Sequence, residues 1–258
     1  MNAATPACGT AFTPAPAAQA LAGRVVLVVG ATGGLGRAAV EACARAGATL
    51  VLLGRHVRAL EQVYDEVVAL GAPQPAIYPL NLEGATPKDY AEMATRIETE
   101  LGGLDAVAFT AARFDGLTPL ELIEPELWLS QIHVNLSAPL LLIQATLPLL
   151  KRRADSAIAF VLDDAARVRR AHWGGYGVAK CALEGLFSIL AEEHHEGPLR
   201  VHALRPAPMR TALRRVAYFG EAVSAQPEPT AAAAALAWLL GAAAAPLRGK
   251  VLELRAEG

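Results

Sequence analysis

The sequence predicts an α/β fold built on a single, doubly wound parallel sheet of about seven strands, with helices on both faces. Two observations carry this prediction. Short, continuous apolar runs alternate along the 258-residue chain with amphipathic segments of about 13 residues. Such runs are typical of strands buried on both faces, and a helix between two of them makes a βαβ unit. The first run also leads through a glycine-rich turn into a helix, as in Rossmann-type folds.

The predicted elements follow one another from residue 24 to residue 254. Strands are predicted at 24–30, 49–54, 76–80, 105–111, 156–162 and 199–204, with a weaker seventh candidate at 249–254. Helices are predicted at 35–48, 57–71, 87–103, 125–151 and 174–195. Several of these helices end at glycine, which is a common signal for a helix C-terminus.

The chain contains neither an internal repeat nor a linker that would divide it. Residues 21–258 are therefore predicted to form one domain. Residues 1–20 are rich in alanine and proline, and we expect a flexible tail or an arm that packs on a partner subunit. This segment lacks the basic and strongly apolar regions of a signal peptide.

Composition argues against several function classes. A net charge of −2 argues against a nucleic-acid partner. The apolar runs stop short of the ~20 residues that span a bilayer, so no membrane association is expected. Three cysteines without C-x-x-C spacing predict neither a disulfide framework nor a metal site, and they favour the reducing cytoplasm.

The stretch VGATGGLGRAA follows the first predicted strand and opens the first helix. Glycines there permit a tight turn and a close approach of backbone N–H groups to a pyrophosphate, next to the positive end of the helix dipole. The alternative is a plain turn that happens to be rich in glycine. The predicted cofactor contacts in this stretch are Gly30, Thr32, Gly33, Gly34, Leu35 and Gly36, with the glycines forming the pyrophosphate turn.

Arg55 follows the second predicted strand, where the ribose of a bound dinucleotide lies in such folds. An acidic residue there would bind the 2′-hydroxyl, whereas an arginine can form two hydrogen bonds to a 2′-phosphate. No Asp or Glu occurs between Thr49 and Leu60. The sequence therefore favours NADP(H) over NAD(H), and the alternative is a solvated arginine at a helix start.

Tyr176 and Lys180 are four residues apart in a predicted helix, so they share one face. A tyrosine that acts as general acid or base near neutral pH needs a lowered pKa, and a neighbouring cation can lower it. The alternative is a chance pairing on an ordinary amphipathic helix.

Taken with the glycine spacing, these residues resemble the short-chain dehydrogenase/reductase family over about residues 22–254. The segments VLLGRH, VNLSAPLLLIQATLPLL and HWGGYGVAKCALEGL are similar to bacterial NADP-dependent members. The resemblance implies hydride transfer between a nicotinamide and a small carbonyl or alcohol substrate. It implies that Tyr176 is the acid/base, that Lys180 binds the nicotinamide ribose, and that Asn135 holds a water in a proton relay. The further cofactor contacts that it implies are Asn81, Leu82, Thr110, Ala111, Pro206, Met209 and Thr211.

The chain departs from the family pattern at several positions. The family serine that polarises the substrate, 13 residues before the tyrosine, is Asp163 here. The family Asn-Ala-Gly after the fourth strand becomes Thr110, Ala111 and Ala112. Single changes at three further signature positions give Val29, Asn81 and Ala207.

Asp163 leaves several interpretations open. Protonated, it can donate a hydrogen bond to a carbonyl. Ionised, it raises the pKa of a nearby tyrosine, binds a cationic group of a substrate, or pairs with Arg167, Arg169 or Arg170. A decayed site with a surface ion pair is the remaining interpretation.

These observations support two main functions. One is an NADP(H)-dependent oxidoreductase; the other is a catalytically impaired NADP(H)-binding protein that acts as sensor or scaffold. A nucleotide-sugar enzyme is less favoured, because little sequence follows the sixth strand.

Residues 209–230 are predicted to form a lid over the pocket. Its arginines, Arg210, Arg214 and Arg215, are either solvated or select an anionic substrate. The helices at 125–151 and 174–195 are apolar on more than one face, which favours a homodimer or homotetramer.

Overall fold

The computed structural model describes residues 14–255, so most of the tail predicted at 1–20 lies outside the described residues. Leu21, the first residue of the predicted domain, is fully buried. Its backbone N–H donates to the Ala46 carbonyl at 2.8 Å, which fixes the chain to the end of the first helix.

All strands of the described residues belong to one parallel sheet, which confirms the predicted fold class. The strands are β1 Val25–Val29, β2 Thr49–Gly54, β3 Ala76–Pro79, β4 Ala106–Phe109, β5 Ser156–Val161, β6 Leu199–Arg205 and β7 Val251–Glu253. Their order in the sheet is β3-β2-β1-β4-β5-β6-β7. The order reverses between β1 and β4, and ligands of open α/β sheets bind at such a reversal, beyond the carboxyl ends of the strands.

The helices cover both faces of this sheet. They are α1 Gly34–Arg45, α2 Val57–Ala69, α3 Pro87–Leu101, α4 Pro125–Ile132, α5 Ala138–Lys151, α6 Ala165–Val168, α7 Gly174–Glu193, α8 Ala212–Ala217 and α9 Thr230–Leu239. One apolar core joins α1, α2 and α9 to the sheet, and a second core joins α3, α5 and α7 to the opposite face. Because both faces of inner strands such as β1 and β5 are buried, these strands read as continuous apolar runs rather than alternating ones.

The helix predicted at 125–151 departs from its prediction in one respect. A π-helical turn, His133–Ser137, separates α4 from α5, and Asn135 lies within it. The whole segment Pro125–Lys151 is long and apolar enough to cross a membrane by length and composition. Its buried residues, however, pack on the sheet and on α3, as those of a core helix do.

Candidate active site

A cleft of about 610 Å³ lies beyond the carboxyl ends of the central strands. This volume is within the range of small-molecule and cofactor sites. Every residue that the sequence analysis named as a cofactor contact lines it, and so does Asp163. Asn135, the residue predicted for the proton relay, does not line the cleft, because it is buried behind its wall. The structure therefore brings the predicted residues together; their roles remain predictions.

The glycine turn at one end of the cleft has the shape that a phosphate requires. Gly30 adopts φ of +88°, and a Cβ there would lie 2.7 Å from the backbone of Ala111. A Cβ on Gly36 would overlap the carbonyl oxygen of Gly30. Gly33 begins α1 without a side-chain cap, so the N–H groups of the first turn are free of side-chain acceptors. This arrangement fits the pyrophosphate of a dinucleotide.

Arg55 lies at the same end of the cleft, and its side chain is 60% exposed. Its guanidinium pairs with Glu83 at 3.4 Å, and Glu83 also pairs with Arg113. An ion pair this exposed contributes little stability, so Arg55 can exchange Glu83 for an incoming phosphate. Sequence analysis did not identify Glu83 or Arg113, because they come together from two different loops.

Asp163 and Tyr176 meet at the other end of the cleft. The Tyr176 hydroxyl donates a hydrogen bond to Asp163 Oδ2 at 2.6 Å. Asp163 Oδ1 accepts from the backbone N–H of Asp164 at 2.7 Å and pairs with the guanidinium of Arg167. All three partners donate to the carboxylate, which is the arrangement of an ionised acceptor rather than of a protonated donor. Of the ion pairs that the sequence left open for Asp163, the pair with Arg167 is the one present within residues 14–255.

This environment raises the pKa of Tyr176, whereas the sequence analysis expected a lowered pKa. Burial, followed by the adjacent Asp163 carboxylate, raises the pKa of the Tyr176 hydroxyl well above its ordinary value, and Arg167 offsets only part of this shift. The expectation that Lys180 lowers the pKa of Tyr176 is wrong for this structure. The Asp163 carboxylate shifts the pKa of Tyr176 upward, the direction expected of an ionised neighbour.

Lys180 is buried and donates from Nζ to the backbone carbonyl of Val161 at 2.9 Å. Its ammonium lies 5.8 Å from the centre of the Tyr176 ring. Burial lowers the pKa of Lys180 to about 8, although Asp163 acts in the opposite direction.

Asn135 connects two segments of backbone. Its amide nitrogen donates to the carbonyls of Arg113 and Gln131, both at 2.8 Å, and its amide oxygen accepts from the Arg113 N–H at 3.0 Å. The side chain thereby fixes the loop after β4 to the π-helical turn. The predicted water relay stays a prediction.

An aromatic wall stands beside Tyr176 and was not identified from the sequence. Phe114 and Trp173 stack with ring centres 5.2 Å apart, and Phe114 meets the Tyr176 ring edge-on at 5.3 Å. Tyr218, which follows α8, packs on Trp173 at 6.4 Å. These residues occur singly in three segments, so no periodic pattern marks them; all of them line the cleft.

The lid segment contributes fewer free charges than its composition implies. Arg214 forms two hydrogen bonds to Glu221, at 2.6 and 2.7 Å, and Arg210 pairs with Glu228. Both arginines are therefore neutralised within the segment, which weakens the argument for an anionic substrate.

Comparison with known proteins agrees with this geometry. Residues 24–219 match the family model described as short chain dehydrogenase. The uncharacterized oxidoreductase YciK of Escherichia coli K12 is 34% identical over 226 residues, which cover 88% of this chain and 89% of YciK.

Solved structures give the same result. A protein from Pseudomonas syringae, assigned to the short chain dehydrogenases, is 39% identical with a TM-score of 0.90, covering 95% of this chain and all of that one. A similarly assigned protein from Escherichia coli CFT073, complexed with NADPH, is 33% identical with a TM-score of 0.88, covering 93% of this chain and 99% of that one. The chain therefore belongs to the short chain dehydrogenase family of oxidoreductase enzymes.

Proposed function

We propose that this protein is an NADP(H)-dependent oxidoreductase that transfers a hydride between the nicotinamide and a small substrate. A carbonyl or alcohol carbon is the reacting centre that the family resemblance implies. One observation carries the proposal: a single cleft joins the glycine turn at α1 to the buried pair Tyr176 and Lys180. The NADPH in the related structure from Escherichia coli CFT073 supports the choice of cofactor.

The residues of the cleft divide into cofactor-binding and reacting groups. The first turn of α1 would bind the pyrophosphate, and Arg55 the 2′-phosphate. When bound, NADPH supplies the hydride. Because the raised pKa keeps the Tyr176 hydroxyl protonated through neutral pH, this residue can hold or donate a proton but not accept one.

A second candidate function is NADP(H) binding without turnover, as a sensor or scaffold. The hydrogen bond between Tyr176 and Asp163 favours it, because the proton that a carbonyl substrate needs is already donated to a carboxylate. Under this proposal the cofactor binds normally and no small substrate is reduced.

A cofactor titration tests the proposal. Calorimetry should give at least tenfold tighter binding of NADPH than of NADH, since charge-assisted hydrogen bonds to the phosphate are worth roughly 1.5–3 kcal/mol. Arg55→Ala should remove this preference, whereas Arg45→Ala, a matched loss of charge at the far end of α1, should retain it. Equal affinities for the two cofactors in the wild type would contradict the cofactor assignment. Turnover of a neutral carbonyl substrate that survives in Tyr176→Phe would contradict the role of the tyrosine as proton donor.

We also propose that the protein is a cytoplasmic homodimer or homotetramer assembled through α4, α5 and α7. Apolar side chains are exposed on these helices, including Leu129 at 64% and Ile189 at 61%. Exposed apolar side chains concentrated on a few helices are typical of protein interfaces. Light scattering should give two or four subunits, and Ile189→Glu should reduce the mass; a monomeric wild type would contradict this assembly.

A further inference from the structure

At the substrate end of the cleft, the Asp163 carboxylate offers a hydrogen-bond acceptor, whereas a carbonyl substrate needs a hydrogen-bond donor. Asp163 Oδ1 accepts hydrogen bonds from Arg167 and the Asp164 N–H, while Oδ2 accepts from the Tyr176 hydroxyl and from no other group within residues 14–255. A carboxylate oxygen can accept about two hydrogen bonds, so one position on Oδ2 is free beside the tyrosine. The single hydroxyl proton of Tyr176 is already donated to Asp163 Oδ2.

A neutral ketone fits this arrangement poorly. It can only accept, so it competes with a carboxylate for the Tyr176 proton, and charge-assisted bonds to a carboxylate are the stronger ones. During reduction, negative charge also develops on the carbonyl oxygen. That charge would lie close to Asp163, which is only 8% exposed, and two like charges repel strongly in such an environment.

A protonated imine meets the opposite conditions. Its C=N–H⁺ group brings its own proton, which it can donate to Asp163 Oδ2 or to a lone pair of the Tyr176 oxygen. Its N–H⁺ group can bond Asp163 Oδ2, the carboxylate oxygen that Arg167 does not contact, and its positive charge disappears during reduction instead of persisting beside Arg167 and Lys180. Reduction of the iminium requires no proton from Tyr176, so the hydrogen bond from Tyr176 to Asp163 does not hinder it.

The aromatic wall suits the rest of such a molecule. Phe114 and Tyr218 are half-buried and line the cleft near Tyr176, whereas Trp173 is buried behind them with Phe114 stacked on it and Arg167 over its ring. Arg214 already lies over the Tyr218 ring, so Phe114 is the ring of this wall on which a flat conjugated group can stack.

We infer that the substrate of this site is an iminium, a protonated C=N bond on a flat conjugated body, and that Asp163 selects it over a neutral carbonyl. This inference rests on the proposed NADP(H)-dependent function. The iminium carbon accepts a hydride from NADPH, and the C=N π pair becomes the nitrogen lone pair. The N–H proton stays on nitrogen, so the products are a neutral amine and NADP⁺.

A binding experiment tests the selection without depending on turnover. Benzamidinium and benzamide share a flat skeleton, but the first is a cation with N–H donors and the second a neutral carbonyl compound. Calorimetry on the NADPH-saturated protein should give at least tenfold tighter binding of benzamidinium. Asp163→Ser and Asp163→Asn should each remove this preference, while Asp115→Asn, which alters the other carboxylate near Phe114, should keep it.

Turnover of a second matched pair, 3,4-dihydroisoquinoline and 1-tetralone, completes the test. Wild type should oxidise NADPH at least tenfold faster with the imine, and Asp163→Ser should reverse the order. Equal binding of benzamidinium and benzamide, or an undiminished preference in both Asp163 variants, would overturn the inference whatever the turnover. Reduction of the ketone alone would overturn it and leave the proposed oxidoreductase intact. Failure to bind NADPH would instead refute the proposed function.

Discussion

Removing the guanidinium of Arg167 tests how much the Arg167–Asp163 ion pair contributes to the free energy of unfolding. Asp163 is 8% exposed, and Arg167 is its nearest cation and its only partner through an ion pair among the described residues. Breaking a buried pair from one side costs about 3–5 kcal/mol. Because Arg167 is 27% exposed, water can replace part of its interaction with Asp163, and the loss of stability should be smaller than for a fully buried pair. We expect Arg167→Gln to lower the free energy of unfolding by about 2–3 kcal/mol.

A double-mutant cycle separates this pairing from other losses. Arg167 also lies over the Trp173 ring, with its Cζ atom 5.6 Å from the ring centre, and that contact is lost in every Arg167 variant. Once Asp163→Ser has removed the carboxylate, Arg167→Gln should therefore cost only about 1 kcal/mol, close to the value of a cation–π contact. The expected coupling energy is about 1–2 kcal/mol.

Urea denaturation of the four proteins measures the coupling. Arg152→Gln is the control, because its ion pair with Glu98 is more than half exposed and should contribute less than about 1 kcal/mol. If Arg167→Gln is equally costly in the wild-type and Asp163→Ser backgrounds, the carboxylate does not depend on Arg167 and the reasoning fails.

Two further predictions concern backbone packing and proton linkage. Gly36→Ala should destabilise the protein by about 1–3 kcal/mol and abolish NADPH binding, because its Cβ overlaps the Gly30 carbonyl, whereas Gly185→Ala in open space on α7 should stabilise by about 0.5–1 kcal/mol. Thermal unfolding compares the two, and equal effects would contradict the assigned crowding. Between pH 8 and pH 10, the free energy of unfolding of the wild type should rise by about 2–3 kcal/mol relative to that of Lys180→Met. The reason is that the folded chain releases the Lys180 proton above a pKa of about 8, whereas the unfolded chain keeps it up to the ordinary pKa of 10.5. A pH-independent difference in urea denaturation would contradict the buried, low-pKa lysine.

The inner strands β2, β1, β4, β5 and β6 were predictable because they are almost fully buried and therefore read as continuous apolar runs. The edge strands β3 and β7 are only partly buried, and β7 was accordingly the weaker candidate. The predicted strand 49–54 and the observed β2 have the same bounds. The helix α9 was not predicted, because its run of alanines is apolar all round and shows no amphipathic stripe. The π-helical turn around Asn135 was also absent from the prediction, since an extra residue in a helical turn leaves no clear compositional signal.

The candidate site was predictable where its parts are local in sequence. The glycine turn and the pair Tyr176 and Lys180 each lie within a few residues, so their spacing is informative. The pairing of Asp163 with Arg167 was one of three open alternatives, and its spacing of four residues across α6 agrees with it. The aromatic wall and the contacts of Glu83 come from loops at the ends of different strands. Only the fold brings those residues together, so no sequence spacing identifies them.

The contacts of Asp163 bear on whether its presence means loss of function. A carboxylate at a buried position costs several kcal/mol unless it is paired and hydrogen-bonded. Here the Asp164 N–H and Arg167 supply partners from the adjoining residues, and Tyr176 supplies a third across the cleft. These partners make the carboxylate a stable, ordered part of the cleft wall. A serine in its place would offer a donor to a carbonyl, whereas this carboxylate offers an acceptor and a negative charge. Asp163 therefore changes which electrophile the cleft can accept, and the choice between an inactive site and a differently selective one depends on the charge of the substrate.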